Sequence, residues 1–226
     1  IKMVCVDPHD IPVVAFVDSE LMETLPKSIA ASTGMDALTH AIEAYIGRST
    51  TKDTRKKALE AIKLIFENIE VAYKNGFDKE ARTNMLKAAY LAGIAFSKSY
   101  VGYVHAVAHS LGGQYNIPHG LANAVLLPIV IRKYGKSVYK KLHKLAVMVG
   151  LSKQEDNQKE SANKFIDAII SLNKKMNIPD KLHGIKEEDI TLMAKHANKE
   201  ANPLYPVPKL MNAKELEYFY YEIKER

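Results

Sequence analysis

The chain has 226 residues, of which 47% are hydrophobic and 26% are charged, and this length is enough to bury a continuous hydrophobic core. No stretch approaches the roughly 20 unbroken apolar residues that a membrane-spanning helix needs, so we expect no membrane partner. The net charge of +6 comes from basic residues at helical spacing without interleaved aromatic residues, which argues against a nucleic-acid partner.

The first 25 residues differ in pattern from the rest of the chain. The β-branched run over 11–18 predicts a short strand, and because a strand is not stable alone, its sheet must come from other residues. We therefore interpret residues 1–25 as the remnant of an N-terminal domain with its linker, in a chain truncated at its front. The single cysteine, Cys5, excludes an internal disulfide and favours a reducing, cytoplasmic location.

From Pro26 onward the apolar residues recur with a helical period, so residues 26–226 are predicted to form a mainly α domain, a helical bundle. Glycine and proline breakers separate the helices, and the Gly112-Gly113 pair is expected to end one helix and turn the chain sharply. The predicted helices cover 33–47, 54–74, 78–98, 101–112, 119–134, 136–149, 158–176, 187–198 and 212–225.

The first predicted helix carries a carboxylate and an imidazole on one face. Asp36 and His40 are four residues apart, so their side chains lie one turn from each other. The helix around them is largely apolar, and polar groups in such surroundings are expected to have partners. The pair could form an ion pair or bind a cation, and this segment alone leaves both interpretations open.

Three of the eight histidines, His105, His109 and His119, lie within fifteen residues. His105 and His109 share a helix face, and His119 begins another helix after Pro118. A sharp turn between the two helices could bring His119 back beside His105. Hydrogen-bonded core histidines are the alternative, but three imidazoles among small apolar residues are costly unless something requires them.

One carboxylate and several imidazoles, without a thiolate, predict a site for a borderline divalent metal. Imidazole binds iron, zinc, nickel and copper, and the carboxylate favours Fe(II) or zinc over Cu(I). Four protein ligands would leave an open position on iron, or on five-coordinate zinc, as catalysis requires. The histidines at positions 143, 183 and 196 lie in polar or lysine-rich surroundings and are expected to be exposed.

Two segments resemble signatures of the iron-containing, or group III, alcohol dehydrogenases. One is GMDALTHAIEAY over 34–45, and the other spans 105–128 and includes PHGLANA over 118–124. The resemblance is strong over 11–135, and the later helices agree in character. It implies a helical domain similar to the C-terminal domain of dehydroquinate synthase, joined to an α/β dinucleotide-binding domain that is absent from this chain.

The resemblance also implies the roles of individual residues. The family's metal ligands correspond to Asp36, His40, His105 and His119, with Fe(II) favoured and zinc possible. His109 corresponds to a histidine beside the nicotinamide and the substrate, so a catalytic and a cofactor-binding role are both implied for it.

The reaction implied for the full-length enzyme is the NAD- or NADP-linked interconversion of a small primary alcohol or diol and its aldehyde. The resemblance further implies a homodimer or larger homo-oligomer. The family's Gly-Gly-Gly-Ser phosphate loop has no counterpart in the sequence, so the chain is expected to be inactive by itself.

Two other interpretations stay open. A glycerol dehydrogenase or a dehydroquinate synthase resembles this family in fold and metal position, but fits the four-ligand set less well. A non-catalytic helical module would bind metal without any turnover. Reduction of a nicotinamide cofactor by the full-length protein would distinguish a dehydrogenase from such a module.

Overall fold

The computed structural model describes Asp7, His9 and residues 13–225. Within this part of the chain the architecture is helical, without a β-strand, which confirms the predicted helical bundle. The helices are α1 (Lys27–Ile46), α2 (Lys52–Lys74), α3 (Lys79–Ser99), α4 (Tyr103–Tyr115), α5 (His119–Tyr134), α6 (Tyr139–Met148), α7 (Gln158–Lys175), α8 (Glu187–Ala201) and α9 (Ala213–Ile223). In the described part of the chain, no helix is both long and apolar enough to cross a membrane.

Helix α1 is the central element of the core. It packs against α2, α3 and α5, while α4 packs against α5, α8 and α9. Residues such as Met35, Leu38 and Ile42 are fully buried along α1, as expected for a helix that is apolar on most of its circumference. Polar side chains on α1 are therefore placed in the interior, where α3, α4 and α5 can reach them.

The Gly112-Gly113 pair does not end α4, so that part of the prediction is wrong. The helix continues to Tyr115 and ends at Asn116, whose backbone is left-handed with φ 54°. A glycine inside a helix costs only about 1 kcal/mol relative to alanine, which packing can offset. Asparagine tolerates the left-handed conformation that closes a helix, so the turn lies three residues later than predicted.

The predicted strand is not formed over 13–18, the part of it that the structure describes. Val13 and Phe16 are exposed there, with relative solvent accessibilities of 101% and 93%. A strand requires a neighbouring strand for its backbone hydrogen bonds, and no described segment supplies one. Ile11 and Pro12, which begin the predicted strand, lie outside the described residues.

The expectation that His143 is exposed is also wrong, because only 4% of this residue is accessible. His143 lies on α6 three residues before Ala146, and both side chains are on the face that is buried in the core. Lys140 and Lys144 beside it are exposed and made the segment look polar. His183 is exposed as expected, and His196 is partly buried.

Candidate metal centre

Four side chains from three helices meet at one point. Asp36 and His40 come from α1, His105 from α4 and His119 from α5, and one ligand atom of each lies within 4.8 Å of all the others. Oδ1 of Asp36 is 4.0 Å from Nδ1 of His40, 3.6 Å from Nε2 of His105 and 3.7 Å from Nε2 of His119. Two donors about 2.1 Å from one metal are at most about 4.2 Å apart, so small shifts would let this cluster hold a cation.

Glu43 fixes the orientation of the His105 ring. Its Oε2 lies 2.7 Å from Nδ1 of His105, and its carboxylate accepts the N–H groups of Gly102 and Val104 at 2.8 and 2.9 Å. These N–H groups belong to the start of α4, where a helix attracts anions. A carboxylate only accepts hydrogen bonds, so Nδ1 donates and Nε2 faces Asp36.

The Nε2 atom of His105 is buried and has no hydrogen-bond partner among the residues that the structure describes. Buried polar atoms are nearly always satisfied, so an isolated one requires an explanation. A cation between His105 and Asp36 would satisfy this nitrogen. The residues present therefore fit a bound metal ion. In the Glu43-His105 pair, a carboxylate holds the ring nitrogen that faces away from the proposed metal, as is usual for metal-binding histidines.

Two further contacts hold the remaining donors. The His40 ring stacks between Phe96 and His105, with centroid distances of 4.1 and 4.3 Å. The amide of Asn123, one turn after His119 on α5, donates to Oδ1 of Asp36 at 2.6 Å and lies 3.1 Å from Nε2 of His119. The cluster is therefore held in place by the protein itself.

The protonation states in the cluster differ from those in water. Burial lowers the pKa of His105, but the nearby Asp36 and Glu43 carboxylates outweigh it and raise the pKa to about 9. Burial and the charge of His105 lower the pKa of His40 to about 3. Burial opposes the ionisation of Asp36, yet the surrounding histidines lower its pKa. At neutral pH, Asp36 and His40 are in their metal-binding forms, whereas His105 carries a proton.

Most of the chain matches one known protein family. Residues 30–223 match the family described as "Fe-containing alcohol dehydrogenase family, C-terminal". The chain belongs to this family.

The chain is also similar to several individual alcohol and diol dehydrogenases. Alcohol dehydrogenase 4 of Saccharomyces cerevisiae (strain ATCC 204508 / S288c) is 45% identical over 205 residues, covering 89% of this chain and 52% of the relative. The 1,3-propanediol dehydrogenase of Klebsiella pneumoniae is 41% identical over 218 residues, covering 96% of this chain and 56% of that relative. The structure of an alcohol dehydrogenase from Oenococcus oeni matches with a TM-score of 0.89 and 36% sequence identity. The match covers 94% of this chain and 56% of the Oenococcus chain. The chain spans about half the length of these relatives.

His109 lies beside the four-residue cluster. Its ring stacks on His119, with centroids 5.1 Å apart, and meets His105 edge-on at 5.9 Å. Nδ1 of His109 is 2.7 Å from Oε1 of Glu200 on α8. Only 8% of His109 is exposed. His109 is therefore next to the cluster, but it is not among the four residues whose donor atoms lie within 4.8 Å of one another.

Sequence reasoning did not identify Glu43, Asn123 or Glu200. Glu43 had a local signal, because it lies seven residues after Asp36 and therefore on the same side of an apolar helix. Asn123 also had one, as it lies four residues after His119. Glu200 had none, because it is 91 residues from His109 and only the packing of α8 on α4 brings them together.

Gly120 determines how closely α5 approaches α1. A Cβ atom at this position would lie 2.6 Å from the carbonyl oxygen of Ser32 and 2.8 Å from its carbonyl carbon. Because both are backbone atoms, α5 would have to move away from α1, and His119 would move with it. We expect Gly120→Ala to weaken metal binding at least about tenfold and to destabilise the fold by about 1–3 kcal/mol, the usual cost of overpacking.

Gly93→Ala is a matched control for this substitution, since a Cβ at Gly93 meets nothing within 4 Å. It should keep the metal affinity and leave the stability unchanged, or raise it by up to about 1 kcal/mol through helix propensity. Chelator competition and thermal unfolding measure both quantities. Equal metal affinities for the two variants would contradict the close approach at Gly120.

Metal binding is expected to depend on pH through His105. Because its folded-state pKa is raised to about 9, His105 is protonated at pH 7.5 and must lose that proton before Nε2 can bind a metal. The apparent affinity for Zn²⁺ should therefore rise with pH, by up to about tenfold per pH unit below the pKa. Calorimetric titrations in buffers of different ionisation enthalpy should count about one released proton from this residue. Metal uptake without proton release at pH 7.5 would contradict the prediction.

Proposed function

We propose that this chain forms the metal-binding half of an NAD- or NADP-linked alcohol dehydrogenase that interconverts a small primary alcohol or diol and its aldehyde. The main support is the convergence of Asp36, His40, His105 and His119 in a member of the iron-containing alcohol dehydrogenase family. In addition, the buried Nε2 of His105 has no hydrogen-bond partner in the described part of the chain. The names of the yeast and Klebsiella relatives favour an alcohol or diol as the substrate class.

In this proposal the four donors hold one divalent metal, with Fe(II) favoured over zinc. The bound metal supplies a Lewis acid for the alcohol oxygen. The donor set contributes a single negative charge, from Asp36, which leaves a divalent ion with a net positive charge. Glu43 and Asn123 keep His105, Asp36 and His119 oriented, so little reorganisation is needed on binding.

His109 is proposed to orient the substrate and to handle its proton beside the nicotinamide. Its Nδ1 is bonded to Glu200, so Nε2 is the nitrogen that can accept the proton released from the alcohol. The ring is stacked on His119 and largely buried, which fixes its position and excludes water from one face.

The nicotinamide dinucleotide is proposed to bind to a domain outside this chain, because the sequence has no glycine-rich phosphate loop. Residues 1–25 would then be the remnant of that domain and its linker, and residues 26–226 the metal-binding domain. We also propose a cytoplasmic homodimer or larger homo-oligomer, as the resemblance implies.

The test compares the full-length enzyme with this chain, both loaded with Fe(II) or Zn²⁺ and given 1,3-propanediol and NAD or NADP. We expect the full-length enzyme to reduce the cofactor, and the chain alone to bind metal without turnover. A full-length protein that retains metal but never reduces the cofactor would contradict the proposal and favour a non-catalytic module. Turnover restricted to glycerol would instead indicate a glycerol dehydrogenase-like enzyme.

A further inference from the structure

A carboxylate and a phenol form a hydrogen-bonded chain on the side of His109 that the four-residue cluster does not occupy. Glu200 lies in the last turn of α8, and its Oε1 is 2.7 Å from Nδ1 of His109. Tyr205 folds back over the end of α8, with its N–H bonded to the Ala201 carbonyl at 2.7 Å. Its hydroxyl donates to the same Oε1 of Glu200 at 2.8 Å.

The direction of these hydrogen bonds follows from the chemistry of the three groups. Burial, together with the charge and hydrogen bond of Glu200, raises the pKa of Tyr205 far above its usual value, so the phenol keeps its proton and donates it. The carboxylate of Glu200 can only accept. Nδ1 of His109 must therefore donate as well, and in a neutral imidazole this leaves Nε2 without a proton.

We infer that Glu200 is a positioning residue that holds His109 in the Nδ1–H tautomer with its unprotonated Nε2 on the opposite edge of the ring. Tyr205 in turn fixes the carboxylate. The role of His109 in proton transfer rests on the proposed function, whereas its tautomer follows from the hydrogen bonds among His109, Glu200 and Tyr205. A ring flip would break the bond between His109 and Glu200 and leave this partly buried carboxylate with the Tyr205 hydroxyl alone of these two donors.

The inferred arrangement gives a balanced step in alcohol oxidation. The carbinol C–H bond breaks and its electron pair leaves as hydride for the nicotinamide, while the O–H bond breaks and its electron pair completes the carbonyl double bond. The hydroxyl proton goes to Nε2 of His109. The resulting imidazolium keeps its Nδ1–H bond to Glu200, whose negative charge stabilises it. The reverse sequence applies to aldehyde reduction.

The first experiment reads the tautomer directly, by nitrogen NMR of isotope-labelled histidine in the zinc-loaded full-length protein. The signal of His109 is assigned from its absence in His109→Gln. We expect Nδ1–H in the parent and a shift of the proton to Nε2 in Glu200→Leu, which offers no acceptor. A parent with the proton on Nε2, or a leucine variant that keeps Nδ1–H, would overturn the inference.

The second experiment measures turnover and separates positioning from folding. In Glu200→Gln the amide oxygen can still accept both bonds but carries no charge, so the fold, the tautomer and the metal content should be retained. We expect kcat to fall at least about tenfold with KM changed less than about twofold, because the imidazolium loses its ionic partner. Unchanged kcat in Glu200→Gln would overturn the role of the charge.

Glu188→Gln is the matched control on the same helix, since Glu188 is exposed and about three turns from Glu200. It should leave the tautomer, the metal content and kcat unchanged. If the parent never turns over an alcohol while the tautomer responds to Glu200→Leu as expected, the proposed dehydrogenase function fails and the positioning role of Glu200 stands. If turnover is present and the tautomer does not respond, the positioning role fails.

Discussion

Replacing Glu43 by glutamine is expected to lower the free energy of unfolding of the metal-free protein by about 3 kcal/mol below pH 6.5. Glu43 is almost fully buried and bonds to His105 and to the N–H groups of Gly102 and Val104. Removing its charge leaves the His105 cation without its nearest partner inside the core. The same substitution should weaken metal binding by about tenfold to a hundredfold, as for other groups that orient a ligand histidine.

The effect on stability has a definite pH dependence. The folded-state pKa of His105 is raised from 6.5 to about 9, so protonation of His105 stabilises the folded state fully below pH 6.5 and loses this effect as the pH rises through about 9. Because Glu43 is one cause of the raised pKa, the difference between the parent and Glu43→Gln should be largest below pH 6.5 and shrink towards pH 9. Denaturant unfolding at several pH values measures it.

Glu67→Gln is the control, since Glu67 lies on the exposed surface of α2 next to Lys63. Surface changes of this kind stay within about 0.5 kcal/mol. Stabilities of the two variants that agree at every pH would show that the Glu43 carboxylate does not stabilise the protonated His105.

The helices and the local part of the site could be predicted because both depend on near neighbours in the sequence. The apolar period places Asp36 and His40 on one face of α1, and the i, i+4 rule places His105 and His109 together on α4. The return of His119 to His105 was also predicted, although the turn that produces it is closed by Asn116. Local geometry was therefore sufficient to predict a site of one carboxylate and several imidazoles, whereas the choice of the four donors followed from the family resemblance.

The contacts that orient those donors could not be predicted, because they join residues far apart in the chain. Glu43 and His105 are 62 residues apart, and Glu200 and His109 are 91 apart. Their meeting depends on the packing of α1, α4 and α8, and on the absence of a Cβ at Gly102, where it would lie 2.6 Å from Oε1 of Glu43. A sequence pattern with a period of a few residues does not indicate which residues far apart in the chain come into contact.

His119→Ala is expected to abolish metal binding while the helices remain. His119 supplies the donor from α5, and without it the cluster retains three donors from two helices. Helix packing provides most of the stability, so circular dichroism should show a helical protein for the parent and for His119→Ala alike. His183→Ala is the matched control, because 81% of that histidine side chain is exposed and it lies outside the cluster.

Elemental analysis of the purified parent, His119→Ala and His183→Ala tests whether Asp36, His40, His105 and His119 bind one metal ion together. We expect about one equivalent of iron or zinc in the parent and in His183→Ala, and far less in His119→Ala. A parent without bound metal after reconstitution, or full occupancy in His119→Ala, would contradict a metal centre at this point of the helical bundle.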